Sequence, residues 1–237
     1  MNYLRAFLSS LFKPQDNTQP SASRLSLGLE GWKSVAASDF ERRWINDLGD
    51  ELTVAFSEGR PPLEFDPRDV DAGREFFRQV AAEIGQGFVE LNHVVVDGVD
   101  ATRSILKVKQ NPTGVAYIGR LCVPFSDCNW MIEVLSREFG TTGMREAMVV
   151  SQLVSRGEIR PNSPDGRMKG WVRDPYDPDR DPPEFSYTLA DDLQYDAMFP
   201  LHPLTRARER LTEIQSTLRI DRSQRLLTPY QHLPTAN

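Results

Sequence analysis

The run FVELNHVVVDGVDATRSILKVKQNPTGVAYIGRLCVPFSDCNWMIEVLSREF, residues 88–139, decides the fold. It holds four strand-like stretches: FVELNHVVVDG, ATRSILKVKQ, GVAYIGRLCVPF and NWMIEVLSREF. The links D-G-V-D, N-P-T-G and S-D-C carry the Gly, Pro, Asn and Asp of tight turns. Links this short join antiparallel neighbours, because a parallel return needs a crossover of about a dozen residues or more. The run therefore predicts a four-strand antiparallel meander. In its third strand Val115, Tyr117, Gly119, Leu121 and Val123 share one face, and Ala116, Ile118, Arg120 and Cys122 share the other. Both sets are fairly apolar, so both faces of the sheet are expected to be partly covered.

Upstream, FERRWINDLGDELTVAFSEG reads as a hairpin, with L-G-D at 48–50 as its turn and Leu52, Val54 and Phe56 alternating with polar residues. FDPRDVDAGREFFRQVAAEIGQG then carries helical signals. Asp66 precedes Pro67 at the expected first position, and Val70, Phe76, Phe77, Val80, Ala81 and Ile84 form an apolar stripe. Gly85 or Gly87 ends it.

Downstream, FGTTGMREAMVVSQLVSRG (139–157) follows the last strand. Gly140-Thr141-Thr142-Gly143 lacks the Lys of a phosphate-binding P-loop and follows an antiparallel strand. It reads as a turn into a helix, with a threonine hydroxyl near Thr142 as the N-cap. An anion site using Thr141, Thr142, Gly143 and Arg145 stays open beside that reading, because free N–H groups at a helix start attract anions. Helices packed on an antiparallel sheet make an α+β layer fold. The folded domain is expected over 25–157. Residues 158–220 follow as a Pro- and Asp-rich arm and a helix over 203–219, packed on the domain, and 221–237 as a poorly ordered tail. At the other end MNYLRAFLSSLF (1–12) has Tyr3, Leu4, Phe7, Leu8, Leu11 and Phe12 at helical spacing, and polar 13–24 reads as a linker.

Bulk properties narrow the function. The chain has 237 residues, 39% apolar and 26% charged, with a formal charge of -6. No basic face is evident, which argues against nucleic acid as a partner. No stretch reaches the 18 or so apolar residues of a membrane span. Cys122 and Cys128 lack the His or further Cys of a zinc site and read as thiols of a reducing, cytoplasmic protein. The three histidines, His93, His202 and His232, accompany no nucleophile motif. His202, in F-P-L-H-P, reads as lying at or near the cap of the final helix. Asp177, Asp179 and Asp181 start like a calcium loop, but Pro182 and Thr188 stand where that loop needs Gly and Glu. No catalytic residue, metal or cofactor is expected.

The order helix, antiparallel meander, helix resembles the PsbP-like fold class, over about residues 30–157. That resemblance implies a sandwich-like fold and a role in binding another protein. KVKQNPTGVAYIGRLCVPFSDCNWMIEV, GTTGMREAMVV, WVRDPYDP and FPLHPLTRARERL are similar to segments of uncharacterised bacterial proteins. The expectation is a non-enzymatic protein-interaction module, with Leu4, Phe7, Leu8, Leu11 and Phe12 as contact residues. Two alternatives stand beside it. One is a ligand-binding protein or enzyme with a pocket between sheet and helix, using His93, Arg120, Glu133, Thr141, Thr142 and Arg145. The other is a peripheral membrane protein held by the N-terminal helix.

Overall fold

The computed structural model describes residues 22–162, 167–183, 185–221 and 227–232. The 88–139 run forms β5 (Gly87–Val96), β6 (Val99–Lys109), β7 (Val115–Pro124) and β8 (Cys128–Arg137), each antiparallel to the next. The upstream hairpin is present as β3 (Glu41–Asn46) and β4 (Glu51–Glu58). One further strand, β2 (Trp32–Ala37), lies outside it, after the two-residue β1 (Leu25–Ser26). β4 pairs with β8, so the two halves merge into one antiparallel sheet of seven strands in the order β2-β3-β4-β8-β7-β6-β5. The protein is an α+β fold, as the meander and its flanking helices predict. The sheet is wider than the meander by three strands.

The two faces of the sheet are covered by different helices. α1 (Val70–Glu83) links β4 to the far edge strand β5 and lies on one face. Its Ala81, with Phe77 and Val70 beside it, packs on Phe88, Leu91 and Leu106. The helix starts later than the sequence suggests. Asp69, not Asp66, is the N-cap and accepts from the Ala72 N–H at 3.0 Å, while Asp66 binds the Arg68 N–H and guanidinium in the preceding turn. Gly85, at φ 67°, closes the helix in the left-handed conformation that glycine favours.

α2 (Met144–Ser155) follows β8, then the short hairpin β9 (Arg160–Asn162) and β10 (Arg167–Lys169). α3 (Pro203–Thr217) runs across the opposite face of the sheet. Leu204, Ala207, Leu211 and Ile214 pack there on Leu52, Val54, Tyr117, Leu121, Ile132 and Val134. Gly119 makes the close approach possible: a Cβ at that position would lie 2.7 Å from Leu211 Cδ1 and 3.0 Å from its Cγ. β11 (Arg219–Ile220) then pairs with β1, which fastens the end of α3 to the start of the described domain.

The Pro- and Asp-rich arm is a strap. Asp174 takes a two-pronged contact from Arg78 of α1 at 2.6 and 2.9 Å. Tyr176 hydrogen-bonds the backbone of Leu91, and its ring lies under the Arg74 guanidinium at 3.6 Å. Beyond Gly87 and Ser186 the strap turns through two short 3-10 helices, Leu189–Asp191 and Leu193–Met198, into α3. Leu189, Ala190 and Tyr195 form a second apolar cluster with Val149 and Leu153 of α2.

Two terminal expectations need correction. Ala22–Arg24, read as linker, is a 3-10 turn with Ala22 and Arg24 buried. Part of the tail is also packed: Pro229 bridges to Phe125, and the Tyr230 hydroxyl donates to the Leu63 carbonyl at 2.8 Å. Residues 1–21, and with them Leu4, Phe7, Leu8, Leu11 and Phe12, lie outside the described residues.

Gly119→Val tests the seating of α3. Overpacking of this kind costs about 1–3 kcal/mol, to be read as a lower midpoint in urea unfolding. Unchanged stability would show that the helix yields without cost. The strap contact gives a pH signature. Burial alone would raise the Asp174 pKa, but Arg78 and the N–H groups of Tyr176 and Asp177 outweigh it and hold the carboxyl below its ordinary value. A depressed folded-state pKa adds stability above the unfolded value of about 3.9 and loses it as pH falls through the folded one. Asp174→Asn should therefore be less stable than the parent at neutral pH, with the gap shrinking below about pH 4. A gap independent of pH would mean that the carboxylate charge is not what fastens the strap.

Candidate functional site

Strand register builds the first half of a polar layer. Lys107 of β6 lies opposite Tyr117 of β7, and Tyr117 lies opposite Ser136 of β8. Side chains of such partners share a sheet face. The three therefore form a polar row at one end of the face that α3 covers. Lys107, Tyr117 and Ser136 are buried.

The second half comes from the strap and the starts of two helices. Asp191, fully buried, accepts from Lys107 Nζ at 3.0 and 3.3 Å, from the Tyr117 hydroxyl at 2.6 Å, and from the Thr188 N–H and hydroxyl at 2.8 and 3.1 Å. Burial pushes its pKa up, but Lys107, Tyr117 and Thr188 more than offset that, so the carboxyl stays below its usual range. Burial, with Asp191 and Glu146 nearby, keeps Tyr117 a phenol.

Arginines tie down the rest. Arg145 donates to the carbonyls of Ala190 and Asp192, to the Thr205 hydroxyl and to Asp196, at 2.6 to 3.0 Å. Arg206 pairs with Asp50 and reaches the Leu201 and Arg137 carbonyls. Arg208 pairs with Glu90 and Asp196 and donates to the Asp191 carbonyl. His202 caps α3, its Nδ1 accepting from the Leu204 N–H at 3.3 Å. Burial, then the charge of Arg145, lowers its pKa to about 3, so the ring is neutral.

The question of an anion at the GTTG turn is answered from within the chain. The N-cap of α2 is Gly143, at φ 73°, and no side chain caps it, so the threonine cap is not made. The Gly143 N–H donates instead to Glu138 at 2.6 Å, and the other oxygen of Glu138 takes the Val115 N–H at 3.0 Å. The protein's own carboxylate occupies the place an anion would take. Thr141 is exposed, and Thr142 lies against Gly114. Arg145 is engaged by the strap. Thr141, Thr142, Gly143 and Arg145 therefore do not converge on an outside ligand.

The enzyme-like set is scattered. His93 pairs with Asp100 at 2.7 Å on the β5–β6 hairpin. Arg120 pairs with Glu133 at 2.7 Å on the α1 face of the sheet, away from the polar layer. Beside that pair a cleft opens between α1 and the sheet, walled by Leu63, Phe76, Phe77, Val80 and Met131 and floored by Thr102, Ser104, Arg120 and Cys122. Cys122 is a free thiol whose pKa burial pushes up to about 12, so it is not a thiolate nucleophile.

No protein-family model matches the chain, and no curated protein does. Among solved structures, a crystal structure from Bacteroides thetaiotaomicron VPI-5482 is similar over 51% of this chain and 41% of that one, at 8% identity and a TM-score of 0.34. The chain thus spans less than half the length of that neighbour, and a likeness at this level carries no argument about function. No helix among the described residues is long and apolar enough to cross a membrane.

Most of the polar layer is not visible in sequence. Lys107 reads as one lysine of an alternating strand, and Asp191 as one of an abundant acid pair. What makes them a unit is contact across 84 residues. His202 is the exception, since its place before Pro203 marks a helix start.

Removing one partner of a buried ion pair costs about 3–5 kcal/mol, because it strands the other charge. Asp191→Ala should lose stability on that scale in urea unfolding. Combining it with Lys107→Met should restore a large part. A double variant as unstable as the single would locate the cost in packing of the strap turn rather than in the stranded ammonium.

Proposed function

We propose that this protein is a non-enzymatic interaction module that holds an apolar side chain of another protein in the cleft between α1 and strands β6–β8. The observation that carries this reading is the character of the cleft. Phe76, Phe77, Val80, Leu63 and Met131 are only half-buried there, beside a sheet face on which α1 is the one helix among the described residues. Apolar surface left at a concave place commonly marks a docking site. The volume argues for a side chain over a larger ligand. The cavity measures about 60 Å³, against about 300–1,000 Å³ for small-molecule pockets.

The chemistry of the cleft fits binding better than catalysis. Arg120 and Glu133 are paired with each other, and Cys122 is a protonated thiol. Neither arrangement offers a nucleophile beside a base. The apolar stripe Leu4, Phe7, Leu8, Leu11 and Phe12 supplies a second contact in this reading.

The test is co-purification of tagged full-length protein from its native cell, with mass spectrometry of what comes with it. Val80→Glu and Met131→Glu place charge at the rim of the cleft, and a third variant lacks residues 1–12. A stoichiometric partner held by the parent and lost from both charged variants is expected. A partner retained by both would remove the cleft from the interface, and loss only from the shortened chain would move the interface to the N-terminal stripe.

A further inference from the structure

Three side chains from three elements meet at the rim of the polar layer. Glu138 follows β8, Glu146 lies in the first turn of α2, and His202 caps α3. One carboxylate oxygen of each glutamate and a ring nitrogen of the histidine lie within 4.8 Å of one another.

Hydrogen bonding sets this corner apart. Asp191, Arg145, Arg206 and Arg208 are each held by several partners. Glu146 has both oxygens shielded from water, and neither accepts a hydrogen bond from another residue. The same is true of Nε2 of His202, a residue only 8% exposed. The ion-pair contacts run 3.9 Å from His202 Nε2 to Glu146 and 4.0 Å from Lys107 Nζ to Glu146. Both exceed hydrogen-bond length. Charge points the same way, because Lys107, which reaches Glu146 at 4.0 Å, is taken by Asp191 at 3.0 Å. Two carboxylates so close, one without a hydrogen bond from any other residue, call for a shared cation or a proton.

We propose that Glu138, Glu146 and His202 bind one divalent first-row metal ion of the zinc or manganese class. Two carboxylate oxygens and an imidazole nitrogen suit such ions. Bonds of about 2.1 Å in a tetrahedral site place ligands about 3.4 Å apart, so shifts of about an ångström close the set. The ion would clamp the end of β8 to the starts of α2 and α3. Water fills the remaining positions. Coordination through Nε2 moves the ring proton to Nδ1 and gives up the bond from the Leu204 N–H, which at 3.3 Å is already long.

The test uses full-length protein stripped with a chelator and titrated with ZnCl₂ or MnCl₂ by calorimetry and thermal unfolding. Glu146→Gln removes one ligand. His202→Asn removes another and keeps a good N-cap residue. One bound equivalent and a raised Tm are expected for the parent, with affinity lowered more than about tenfold in each variant, as losses around metal sites show. No binding of either ion by the parent overturns the site, and so does equal affinity in both variants. If Glu146 merely carries a proton, Glu146→Gln will match the parent in stability and metal will raise neither Tm. Should a variant fail to fold, Mn²⁺ broadening of amide NMR signals reads the parent directly. Selective loss of the Gly143 and Leu204 signals supports the site, and loss confined to the His93–Asp100 hairpin overturns it.

Discussion

The buried carboxylate of Asp191 fixes the relation between sheet and strap. An ionised group out of reach of water is tolerable only where cations and donors surround it. Those donors come from the sheet, through Lys107 and Tyr117, and from the turn itself, through Thr188. The turn can therefore sit at one place on the sheet only. Arg145 of α2 and Arg208 of α3 then hang on the carbonyls of the same turn. Four elements take their positions from one charge balance, and the apolar seal of α3 over Gly119 completes what the charges orient.

This arrangement divides the molecule by face. The α3 face is closed, with an apolar centre and a polar end in which nearly every group is engaged. The corner of Glu138, Glu146 and His202 departs from that pattern by leaving buried acceptors unused. Among the described residues α1 packs on β5 and β6, and the cleft lies beside that contact. The two candidate sites are thus of opposite character. One is polar and structural in position, the other apolar and open to a partner.

Local patterns exposed much of the framework. The meander was legible because alternation and turn chemistry are properties of neighbours in the chain, and α3 was legible from Pro203 and its apolar spacing. β2 was not, since Trp32–Ala37 is a mostly exposed edge strand with a register shift at Ser34/Ala36, and a bulged, solvated edge carries no clean alternation. The start of α1 was misplaced because Asp66-Pro67 and Asp69-Val70 both offer capping chemistry, and the choice between them rests on packing. The GTTG turn was legible as a turn. The missing Lys, and Glu146 in the first turn, spoke against an anion there, but that Glu138 fills the place was hidden, because it is acidic like many others in this chain.

By itself the sequence determined an antiparallel α+β framework, a net acidic charge and the lack of any nucleophile motif, since these follow from period, composition and spacing. Only the tertiary structure decided that β4 joins β8 to make one wide sheet, and that Glu146 and Nε2 of His202 face each other at 3.9 Å without a hydrogen bond. Those outcomes depend on which distant side chains share a buried, low-dielectric space, where leaving a charge or donor unmatched is costly. That condition acts between elements, and no local pattern of residues records it.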